Sequence, residues 1–119
     1  MTDRKAFHRW LRWLRKHFPL LYPCRVILVD RGRVPGGGQG HCCVIYEDDG
    51  CPPTRFVIHI DRSLNWRETQ TTLWEEWAHA LRMHLLHVGD VSEHDDLYGT
   101  IFNWIKRKWT DEENQESQA

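Results

Sequence analysis

The chain opens on a helical pattern. Across AFHRWLRWLRKHF the apolar residues Phe7, Trp10, Leu11, Leu14 and Phe18 recur at three- and four-residue spacing, with arginines and lysines between them. That period marks one face of an amphipathic helix, and Pro19 and Pro23 end it. The pattern then changes to short runs rich in β-branched residues. CRVILVD, HCCVIYE and RFVIHID predict three strands, separated by a GGGQG stretch and by a turn through Asp48, Asp49, Gly50, Pro52 and Pro53. GGGQG lacks both the lysine and the strand–helix setting of a phosphate loop, so it reads as a mobile hairpin connection. Asn65 with Glu68 resembles a capping box, and a long helical pattern runs from Trp66 to about Val88, closed by Gly89. A last helix is expected from about Asp95 to Lys108, with Leu97, Ile101, Trp104 and Ile105 apolar. The order is helix, three strands, helix, helix. It predicts one α+β domain over residues 1–110, its small mixed or antiparallel sheet covered on one face by the long helix. Residues 111–119 are polar and acidic and are expected to form a disordered tail.

Composition narrows the class without naming a function. The 119 residues are 40% hydrophobic and 28% charged, which suits a single soluble domain, and seven tryptophans raise the expected burial. A formal net charge of −1 gives no sign of a nucleic-acid or membrane partner. The charge is uneven, however. Arg4, Lys5, Arg9, Arg12, Arg15 and Lys16 crowd the first helix, while Asp111, Glu112, Glu113 and Glu116 lie in the tail. The basic helix is a candidate for weak nucleic-acid contact, against the plainer reading of a solvated face on a core-packing helix. No apolar run reaches the length of a membrane span and no signal-peptide core is present, so a cytoplasmic protein without membrane contact is expected. Cys24, Cys42, Cys43 and Cys51 contain no C-x-x-C pair and are expected as reduced thiols.

Chemistry concentrates in TTLWEEWAHAL. Residues four apart share a helix face, so Glu75 and His79 can both reach one ion, and Glu76 can address a water on it. The arrangement is that of H-E-x-x-H, with Glu75 in place of the first histidine. A metal lowers the pKa of its water, and the following glutamate acts as general base. Four other histidines compete for the ligand role. His84 shares a face with Leu73, Trp77 and Leu81 and reads as a packed residue. His87 suits the helix end, and His41 and His59 in the strand region read as packing.

FVIHIDRSL, TLWEEWAHAL and SEHDDLYGTIFNWI together resemble the SprT-like zinc metallopeptidase family, in particular its small phage and mobile-element members. That family has an I-D-R-S-L-like turn, a T-L-x-H-E-W-A-H-A-L helix and a D-H-G-P-E-W-G-like segment before its last helix. The resemblance covers about residues 24–107 and is strongest over 56–81. It implies a minimal zincin-like hydrolase holding one Zn2+ ion, with His94 as third ligand, Glu93 beside it, Tyr98 at the family's aromatic position and Gly99 at its closing glycine. Tyr98 is expected to pack, with a lesser role in hydrogen-bonding a reaction intermediate. The expected ligands are then Glu75, His79 and His94, with Glu76 catalytic and a protein or peptide substrate lying extended along the sheet edge. Two departures stand out. Asp95, Asp96 and Leu97 replace G-P-E, and Glu75 is either an oxygen ligand or the mark of a degenerate or engineered site. The alternatives are a non-catalytic metal-binding or interaction module, possible in nucleic-acid-associated form, and a non-haem iron site of two histidines and a carboxylate.

Overall fold

Helix α1 spans Arg4–His17, and its apolar stripe of Phe7, Trp10, Leu11 and Leu14 is buried as the period requires. The computed structural model describes residues 4–20, 22–45, 55–86 and 94–118. Strand β1 covers Cys24–Val29, β2 covers Gly40–Ile45 and β3 covers Arg55–Asp61. Helix α2 runs Trp66–Leu86 and α3 runs Asp96–Gln118. The class is α+β, with a three-stranded mixed sheet in the order β1-β3-β2.

That order corrects the expected hairpin. Strand β3 lies between the other two, parallel to β1 and antiparallel to β2. GGGQG therefore belongs to a crossover, tightened by a 3-10 turn at Pro35–Gly37 in which Gly36 and Gly37 take positive φ. Alternation along β3 buries Phe56, Ile58 and Ile60 on one face, where Cys42 of β2 joins them. Helix α2 covers that face and α3 packs against α2. The middle of α2 is therefore buried nearly all round, including Leu73, Trp74, Trp77, Ala78, Ala80 and Met83.

The capping box forms. The Glu68 amide donates to Asn65 Oδ1 at 2.9 Å, and the Asn65 amide donates to Glu68 Oε1 at 3.3 Å. Just before it, Ser63 donates to Asp61 Oδ1 through both its amide and its hydroxyl, which sets the turn from β3 into α2. Tryptophans join the helices. Trp77 Nε1 donates to Phe18 O at 2.9 Å, and Trp13 packs against both Trp74 and Trp109.

The acidic tail is a second correction, because α3 continues to Gln118. Glu112 accepts from Trp13 Nε1 of α1 and lies near Lys108, its i,i+4 neighbour, and His17. Charge composition alone hid this, since one specific indole bond anchors the extra turns. Among the described residues Cys24, Cys42 and Cys43 are free thiols, while Cys51, His87, Gly89 and Glu93 lie outside the described residues.

Candidate metal centre

Helix α2 carries Glu75, Glu76 and His79 within two turns, and His94 stands two residues before α3 begins. Across 15 residues of chain the two imidazoles meet, with His79 Nε2 and His94 Nε2 3.1 Å apart. Two nitrogens on one tetrahedral zinc, each at about 2.0–2.1 Å, sit about 3.3 Å apart. The observed separation is close to that. Tyr98 braces both rings, stacked at 4.3 Å on His79 and 4.5 Å on His94. Its expected packing role is what the geometry shows, and burial together with the Glu75 and Glu76 charges raises its phenol pKa.

A salt bridge that sequence reading passed over positions His94. Buried Arg82 donates to Asp95 in a two-bond fork, Nε to Oδ1 at 2.9 Å and Nη2 to Oδ2 at 2.6 Å. Asp95 also caps α3, accepting from the Tyr98 amide at 2.9 Å. Chiefly through the Arg82 bond, its carboxyl is held down at about 2. Because Asp95 directly follows His94, the fork ties the second imidazole to α2. Arg82, three residues after His79, and the acidic residue after His94 are both visible in the sequence, but their pairing depends on how the chain folds back.

Glu76 is buried and its pKa is raised to about 7, mainly by burial and then by the Glu75 charge. His79 is lowered to about 4 by burial, His94 and Arg82, so its ring is neutral at pH 7 and can donate a lone pair. Glu76 Oε2 and His79 Nδ1 are buried with no hydrogen-bond partner. A buried polar atom left so costs about 1–3 kcal/mol. A neutral His79 ring, an orphaned carboxylate oxygen and matching nitrogen spacing fit a divalent ion with its water.

Glu75 is half-buried, and its charge acts on Glu76 and Tyr98. It does not complete a tight trio, however. Among the described residues, the group of three donors with all ligand atoms within 4.8 Å of one another is His41, Cys43 and His59, not Glu75, His79 and His94. The sequence alone suggests packing for His41 and His59, because their grouping with Cys43 depends on strand register. His84 is half-buried with its ring 5.6 Å from Tyr22, consistent with packing.

The basic face of α1 is partly engaged within the fold. Arg9 lies over the Trp109 ring at 5.7 Å, and Arg15 donates to Cys24 O at 3.3 Å. No described helix is long and apolar enough to cross a membrane. Compared with family models, curated proteins and solved structures, the chain matches none.

Proposed function

We propose that the chain is a zinc-dependent peptidase of SprT-like type, with His79 and His94 holding the ion and Glu76 as general base. The observation that carries this reading is the 3.1 Å approach of the two imidazole nitrogens, with Glu76 buried three residues before His79 on the same helix. Glu75, four residues before His79 on the same helix, is the third candidate ligand. Zinc at this place supplies Lewis acidity that makes water nucleophilic near neutral pH. Glu76 takes the proton as water attacks the peptide carbonyl, then returns it to the leaving amine. Arg82 and Asp95 hold His94 in place, and Tyr98 keeps both imidazoles from rotating. Strand β2 is an edge of the sheet and packs against α2, so an extended peptide pairing with it would lie close to Glu76.

A non-catalytic module of the same fold is the second reading, favoured by Glu75 standing apart from the two histidines. Metal content and hydrolysis separate the two. Elemental analysis of protein purified without added metal is expected to show one equivalent of zinc that a His79→Ala, His94→Ala double variant lacks. Glu76→Gln, at matched zinc occupancy, is expected to cut casein hydrolysis by about 10²–10⁴-fold. Unchanged zinc content in the double variant, or equal hydrolysis by Glu76→Gln, overturns the peptidase reading.

A further inference from the structure

A second cluster of metal-type donors lies on the sheet, on different elements from the helix-borne centre. His41 and His59 face each other across the antiparallel β2–β3 pair, and Cys43 follows His41 by two positions on β2. Residues directly opposite in such a pair, and residues two apart on one strand, project to the same face. The neighbouring pair Cys42 and Ile58 is buried under α2, so His41, Cys43 and His59 occupy the other face of the sheet. All three are half-buried, and one donor atom from each lies within 4.8 Å of the other two. Cys43 Sγ is 3.1 Å from His41 Nδ1. His59 Nδ1 is buried with no hydrogen-bond partner.

We propose that His41, Cys43 and His59 form a second metal site, selective for a thiophilic ion of the zinc class. Two imidazoles and a thiolate suit zinc or cobalt(II), and hard ions such as magnesium and calcium prefer oxygen donors. Sulfur and nitrogen on one tetrahedral zinc stand about 3.6 Å apart, given bond lengths of about 2.3 and 2.05 Å. The Cys43–His41 pair at 3.1 Å needs only to open slightly, and His59, with its donor within 4.8 Å of both, is in reach of the same ion. Binding an ion would also give the orphaned His59 side chain a partner. Three protein donors leave one position for water or an outside ligand. The same Cys43–His41 contact is the geometry of a thiol nucleophile with its base, but two imidazoles converging on one sulfur describe a ligand set better than a dyad.

The site is independent of the peptidase reading, and a thiolate-specific signal distinguishes them because the helix-borne centre contains no sulfur. Cobalt(II) added to the full chain is expected to produce a near-ultraviolet thiolate-to-cobalt charge-transfer band. The band should vanish in Cys43→Ser, weaken in His41→Gln and His59→Gln, and persist in the His79→Ala, His94→Ala variant. In the unaltered chain, zinc should protect Cys43 from iodoacetamide, as mapped by peptide mass spectrometry. That arm stands even if a strand variant fails to fold. Absence of the band in folded protein, its survival in Cys43→Ser, or equal alkylation of Cys43 with and without zinc overturns the proposal.

Discussion

At Glu76 a carboxyl is held in a place that favours its proton. With its pKa at about 7 in the native chain and 4.5 as the ordinary value, the folded state keeps a proton that the unfolded state releases. Stability therefore falls as pH rises from 4.5 to 7, and the penalty is complete above that. At about 1.4 kcal/mol per pKa unit, its ceiling is roughly 3 kcal/mol. In metal-free protein, Glu76→Gln is expected to be more stable than wild type at pH 8 and to lose that advantage by pH 4, as read by urea unfolding. A pH-independent difference would mean that Glu76 does not titrate in this window. A bound dication reverses the local preference by stabilising the carboxylate, so zinc should shrink the gap. Glu75 is the neighbouring test. Glu75→His sets an imidazole four positions before His79 and is expected to raise zinc affinity, measured by competition with a chromophoric chelator. If Glu75→His and Glu75→Ala both bind as wild type does, position 75 has no part in the centre.

Between elements, the Arg82–Asp95 fork decides where α3 starts relative to α2. Asp95 is at about 2 against an ordinary 3.8, so its contribution to stability is full above pH 4 and fades as pH falls towards 2. Asn retains a capping oxygen but loses the charge. The unfolding midpoint of Asp95→Asn is therefore expected below that of wild type at pH 6, with the two converging near pH 2. Its zinc affinity should also drop, because His94 is released from α2. An Asp95→Asn variant matching wild type in both respects would remove the fork from any positioning role. The same scale explains the continuation of α3. Lys108 with Glu112 along the helix, and Trp13 across to α1, give the acidic turns neighbours that composition alone does not reveal.

Across the whole molecule, the site depends on how closely α2 lies on the sheet. A Cβ at Gly40 would stand 2.5 Å from Thr72 Cγ2 and 3.0 Å from Glu76 Cγ. Thr72 is buried and β-branched, so it cannot swing aside cheaply. Gly40→Ala is expected to cost about 1–3 kcal/mol in stability and, on the proposed peptidase reading, to lower hydrolysis by pushing Glu76 off its position. Chemical denaturation and a casein assay check it, and an unaffected variant would show that the helix–sheet contact is looser than the structure has it. Much of this architecture was legible beforehand, for local reasons. The 3.6-residue stripe of α1, the reciprocal Asn65–Glu68 bonds, the three β-branched runs and the same-face pair Glu75 and His79 all arise between residues a few positions apart. The strand order, the meeting of His79 with His94, the Arg82–Asp95 fork and the cross-strand trio of His41, Cys43 and His59 did not follow from the chain order. Each depends on which segment returns to lie beside which. Burial and shape complementarity of the folded whole select that return, because period and propensity constrain only near neighbours.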